Sequence, residues 1–227
     1  LFRVKQDLPM IVSIMRAYKL KRLKLKSVED ILSAIENFHF MFTAVTSQRS
    51  SGGISFMYAL SARELEKAIT LESRLQVLKE LKKKLKAKIP PYQEFESNFV
   101  NIQYSSKITK QKKLVQYILS KIDRYNRKNG TVLDYEEMTI EHLAPENAVM
   151  PSSPPDKLAQ IGNLILADKA LNNKLGNKNF DKKKKLLENS SIWVDEIIKK
   201  SDKWENKNIE KRSRYLSKDA YNKVWKY

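Results

Sequence analysis

Glycine is the residue that most limits what this chain can fold into, because only five occur in 227 positions. Proline is confined to a few places, so little interrupts a helix, and long helices are expected to dominate. Apolar spacing agrees. Ile31, Leu32, Ile35, Phe38, Phe42 and Val45 fall three or four apart, which is one helical face, with Ser27 and Asp30 as candidate caps. Ser47–Gly53 reads as a flexible break. A second helical stretch is expected from Ser55 to Lys88, where Leu71, Leu75, Leu78, Leu81 and Leu85 form a core stripe too short for a coiled coil. Pro90-Pro91 closes it.

A further helix is expected from Thr109 to Tyr125, with Val115, Ile118, Ile122 and Tyr125 in register and Asn129-Gly130 as its closing turn. The texture then changes. Met138–Leu143 and Asn163–Leu166 are short, apolar and bounded by Pro or Gly, as strands of a small hairpin are. Helices resume after Asp168. Trp193, Trp204 and Trp225 sit in helical patterns and are expected in the core. The expected architecture is mainly α, with a helical region over 1–105 and a second domain over 106–227 built around the two-stranded insert.

Bulk properties narrow the function. Apolar residues make up 41% of the chain, which excludes a disordered chain, and no apolar run approaches the roughly 20 residues of a membrane span. Cysteine is absent, removing disulfides, thiolate metal sites and cysteine nucleophiles together. A cytoplasmic protein is expected, and Leu1 at the start suggests a piece of a longer one. The formal charge of +18 suits a polyanionic partner, though solvated lysine-rich helix faces give the same number.

Two histidines occur. His39 lies within an amphipathic stretch and reads as structural. His142 follows Glu141 at the end of an expected strand, with Asn163 and Asn172 downstream. Phosphodiester hydrolysis needs a base for water, a cation for the phosphate, and fixed geometry. Imidazole titrates near working pH, so His142 can be the base. Glu141 and Asn172 offer hard oxygens to a divalent ion, Mg²⁺ or Mn²⁺. Asn163 can hold the strand or imidazole region in shape. Strand alternation puts Glu141 and His142 on opposite faces, which only a strand end tolerates. By themselves, one Glu-His pair and two asparagines equally suit turns and caps with no chemistry.

Thr139-Ile140-Glu141-His142-Leu143-Ala144-Pro145 and Ile161-Gly162-Asn163-Leu164-Ile165-Leu166 resemble two segments of the C-terminal HNH (His-Me finger) nuclease domain of GmrSD and SspE-like anti-phage restriction proteins. Asn172, Asn177, Phe180 and Lys183 fit the stretch that follows. Trp204, Ile209, Arg212, Leu216, Ala220 and Trp225 fit its closing helix. The resemblance covers most of 28–227 and is strongest over 138–225.

It implies a ββα-metal core at 138–185 and a metal-dependent DNA endonuclease that nicks its substrate. His142 would be the base, Asn163 a supporting catalytic residue, and Glu141 and Asn172 the ligands of Mg²⁺ or Mn²⁺. Lys182, Lys183, Lys184 and Arg212 would contact DNA phosphates. The implied partners are DNA, modified phage DNA included, and an N-terminal nucleotide-hydrolysing or sensor domain. Ala144, Glu146 and Ala167 depart from the family pattern. The rival expectations are an HNH-like ribonuclease and a basic DNA-binding module whose site is structural.

Overall fold

A computed structural model describes residues 4–48, 52–127, 133–146 and 155–227. The chain is mainly α-helical, as its composition and periodicity predict, and among the described residues one two-stranded sheet interrupts the helices. No described helix is long and apolar enough to cross a membrane. The fold divides into two compact units. Unit 1 holds residues 1–95 together with Trp225–Tyr227, and unit 2 holds Glu96–Val224.

Unit 1 contains α1 (Leu8–Lys19), α2 (Leu25–His39), α3 (Gly52–Lys67) and α4 (Leu71–Lys86). The apolar face of α2 buries Val28, Ile31, Ile35 and Phe38 and continues into a π-helical turn at Phe40–Val45. Its start differs from expectation. Lys24 occupies the N-cap position without a side-chain cap, and Ser27 and Asp30 lie inside the helix. The Ser55–Lys88 stretch is two helices rather than one, because Thr70 and Ser73 form a capping box that starts α4. Of the leucine stripe, Leu78, Leu81 and Leu85 are buried in the core, whereas Leu71 and Leu75 are exposed. The turn expected at Asn129-Gly130 and part of the Ser47–Gly53 break lie outside the described residues.

Unit 2 begins within α5 (Tyr92–Phe99) and continues through α6 (Lys112–Asn126). Val115, Ile118, Leu119 and Ile122 form the buried face of α6, the i, i+3, i+4, i+7 pattern of an amphipathic helix. Strand β1 (Thr139–His142) pairs antiparallel with β2 (Leu164–Ala167), Glu141 opposite Ile165 and His142 opposite Leu164. Between them come α7 (Pro155–Ala159) and a 3₁₀ turn at Ile161–Asn163. After β2 follow α8 (Lys169–Leu175), α9 (Phe180–Glu188), α10 (Glu196–Lys200) and α11 (Asn206–Asp219), the last ending in a π-helical turn. Trp204 is buried in this core against Phe180, ring centroids 4.9 Å apart, while Trp193 is half-buried in the connection before α10.

Gly162 explains how the 3₁₀ turn meets α11. A Cβ there would lie 2.1 Å from the Ile209 carbonyl oxygen and 2.4 Å from Ser213 Oγ, so only glycine fits. Gly162 N donates to Ser213 Oγ at 3.1 Å. Arg212 Nη1 donates to the carbonyls of Gly162 and Leu164 at 2.9 and 2.8 Å, and its Nε pairs with Asp195 Oδ2 at 2.6 Å. Helix α11 thereby clamps the turn that carries Asn163.

Candidate active site

Alternation along β1 buries Ile140 and His142 and leaves Thr139 and Glu141 on the more open side. His142 Nε2 lies 3.1 Å from the Tyr104 carbonyl oxygen. A carbonyl only accepts, so Nε2 carries the proton, and in the neutral ring Nδ1 holds the lone pair. No described residue partners Nδ1. Glu146 Oε1 stands 3.5 Å from Nε2, and Glu146 is itself held by Ser106, whose N and Oγ donate to it at 2.8 and 2.5 Å. Burial pushes the His142 pKa below the ordinary imidazole value, against the raising pull of the Tyr104 carbonyl, Glu146 and Glu141. The ring is therefore a neutral imidazole near pH 7.

Asn163 is fully buried and completely satisfied. Its Oδ1 accepts from Ala144 N at 2.8 Å and Trp204 Nε1 at 3.0 Å, and its Nδ2 donates to the carbonyls of Ala144 and Leu158 at 2.9 and 2.8 Å. Its own carbonyl accepts from Leu143 N at 2.9 Å. The residue fixes the chain as it leaves β1, directly after His142. Every polar atom of the amide is engaged, so none is left for a substrate or an ion.

Asn172 lies one turn into α8, which Asp168 caps through Leu171 N at 2.8 Å. Its Nδ2 donates to Thr139 Oγ1 at 2.6 Å, on the strand face that also carries Glu141. Fixing Nδ2 in this way orients the amide and leaves Oδ1 without a described partner. Glu141 is similar: Oε1 receives Lys183 Nζ at 2.5 Å, and Oε2 has no described partner. Two hard oxygens, one of them anionic, suit a divalent cation such as Mg²⁺ or Mn²⁺. Among the described residues no three His, Asp or Glu side chains gather into a metal cage. An ion held here would draw its other ligands from water and phosphate.

The phosphate contacts expected from sequence are placed unevenly. Lys182 is exposed on α9. Lys184 is half-buried, its Nζ donating to the Ser201 carbonyl at 3.1 Å. Lys183 and Arg212 differ from expectation, since both are in the interior, 1% and 2% exposed. Lys183 joins Glu141 and the His142 carbonyl, and Arg212 braces the Gly162 turn.

The sequence motifs do not disclose Tyr104, Ser106 or the contact of Glu146 with His142. Tyr104 contributes a main-chain oxygen, which no side-chain pattern discloses. The four-residue step from His142 to Glu146 was the available signal for the last.

The sequence profile described as GmrSD restriction endonucleases, C-terminal domain, matches residues 89–219, more than half of the chain and all of the site just described. No curated protein matches the chain. The resemblance first read from the Glu-His and Gly-Asn segments is thereby supported over a continuous stretch, and the chain belongs to the family of GmrSD restriction endonuclease C-terminal domains.

Proposed function

We propose that the chain is a metal-dependent DNA endonuclease of a phage-restriction system, with His142 Nδ1 as its general base. The observation that carries the reading is the His142–Tyr104 hydrogen bond, which sets the tautomer and leaves Nδ1 basic. Nδ1 takes a proton from water, the water oxygen bonds to phosphorus, and the bond to the leaving deoxyribose oxygen breaks in line. Glu141 and Asn172 would hold the ion, Mg²⁺ or Mn²⁺, which when bound supplies positive charge against that developing on the phosphate and leaving oxygen. Asn163 keeps the exit of β1 in place, and Lys183 orients Glu141. One base and one ion site serve one strand at a time, so nicking is the expected event.

The test is cleavage of supercoiled plasmid with Mg²⁺ or Mn²⁺ by the wild-type chain and by His142→Ala, with a chelator control and a parallel RNA substrate. A general base is worth about 10²–10⁴ in rate, so the variant should fall to near background. Equal cleavage by both chains would remove His142 from the mechanism. Preference for RNA would redirect the substrate assignment.

A further inference from the structure

We infer that Lys107, Lys110, Lys112 and Lys113 form the surface that grips the phosphate backbone of the nucleic acid beside His142, an inference that rests on the nuclease reading above. Three observations point there. All four side chains are exposed, and none has an ion-pair partner among the described residues. From residue 97 to 122 the chain holds five lysines and no Asp or Glu, so no carboxylate of the segment offsets the charge. The segment is also stitched to the base. The Tyr104 carbonyl accepts a hydrogen bond from His142 Nε2, Ser106 holds Glu146, and Lys112 Nζ stands 5.9 Å from the Tyr104 ring centroid.

Helix stability does not account for two of these cations. Lys112 and Lys113 occupy the first turn of α6, where the helix dipole disfavours positive charge, and no acidic residue occupies that turn. A phosphate backbone would supply the missing anions, and backbone contacts set register without reading sequence. The lysine run of α9 is a poorer candidate. Lys183 is interior, Lys184 is tied to Ser201, and Asp181 and Glu188 lie on the same helix.

The experiment measures duplex DNA binding by fluorescence anisotropy across a KCl series. The parent is the full chain carrying His142→Ala, to suppress cleavage. One variant adds Lys107→Gln, Lys110→Gln, Lys112→Gln and Lys113→Gln. A control instead adds Lys79→Gln, Lys82→Gln, Lys83→Gln and Lys86→Gln on the exposed side of α4, removing the same charge elsewhere. Circular dichroism checks that each is folded. The slope of log affinity against log salt should drop by about 0.9 for each lysine that meets a phosphate, hence by roughly 2–4 in the first variant and by less than about 1 in the control. Restoring His142 in the first variant should raise KM and leave kcat at saturating DNA near wild type. Equal losses in both variants would mean bulk charge alone, and an unchanged slope in the first would also overturn the inference. A wild-type chain that cleaves while the first variant binds normally sinks the lysine surface alone. A parent that does not bind and a wild type that does not cleave sink the nuclease reading and this surface with it.

Discussion

Lys183 Nζ lies 2.5 Å from Glu141 Oε1, with 1% of the lysine side chain and 14% of the glutamate side chain exposed. The same ammonium donates to the His142 carbonyl at 2.5 Å. One interior cation thus orients the side chain of one site residue and the backbone of the next. The sequence suggested a lysine facing phosphate, and burial gives it this partner instead.

Removing one member of a buried ion pair strands the other charge. Lys183→Met should therefore destabilise unit 2 by about 3 kcal/mol in urea unfolding. Combining it with Glu141→Gln should recover most of that loss, because the stranded carboxylate is gone. A single-variant loss below about 1 kcal/mol would show that Glu141 rehydrates freely and that the pair contributes little.

Arg212 offers a contrast between interior brace and phosphate contact. Arg212→Met leaves Asp195 buried without its cation and frees the carbonyls of Gly162 and Leu164, at an expected cost of roughly 3–5 kcal/mol. Wherever the variant is folded, the salt slope of DNA binding should match the parent. A slope reduced by about 0.9 with little loss of stability would return the residue to the DNA surface.

Gly162→Ala tests the approach of α11 to the 3₁₀ turn. The added Cβ meets the Ile209 carbonyl oxygen and the Ser213 backbone nitrogen, neither of which can rotate away. Overpacking of this kind costs about 1–3 kcal/mol even where side chains can adjust, so a loss at or above the top of that range is expected. Thermal melts of the two proteins are the measurement. A melting temperature within a degree or two of wild type would show that α11 shifts at no cost.

His39 reports on unit 1. Its Nε2 faces Tyr58 Oη at 3.0 Å and Asp7 Oδ2 at 3.9 Å, and its Nδ1 faces Thr43 Oγ1 at 3.2 Å. Burial lowers its pKa to about 4. An unfolded histidine titrates near 6.5, so between roughly pH 6.5 and 4 the unfolded chain binds a proton that the folded chain refuses. Stability should fall as pH drops through that window, by about 1.4 kcal/mol per unit at full separation. Two imidazole resonances in proton NMR would give the site values directly, and a His39 midpoint at or above 6.5 would contradict its burial.

The sequence was enough for the periodic elements and for the segments that carry the candidate site residues. The apolar spacing of α6, the strand pair around Glu141-His142 and Gly162-Asn163, and helices resuming after Asp168 all follow from local pattern, because side-chain period and turn residues are local properties. The break between α3 and α4 was legible in principle, since Thr70 and Ser73 form a local capping box, yet the leucine stripe ran through it and masked it. What each site residue touches was beyond local pattern. The Tyr104 carbonyl meets His142 across 38 residues of chain, Lys183 meets Glu141 across 42, and Arg212 meets Gly162 across 50. The sequence by itself determined a mainly helical chain with a short antiparallel strand pair bearing a glutamate and a histidine. Tertiary packing alone decided which imidazole nitrogen keeps the lone pair and which cations face inward, because desolvation and hydrogen-bond geometry depend on neighbours distant in the chain.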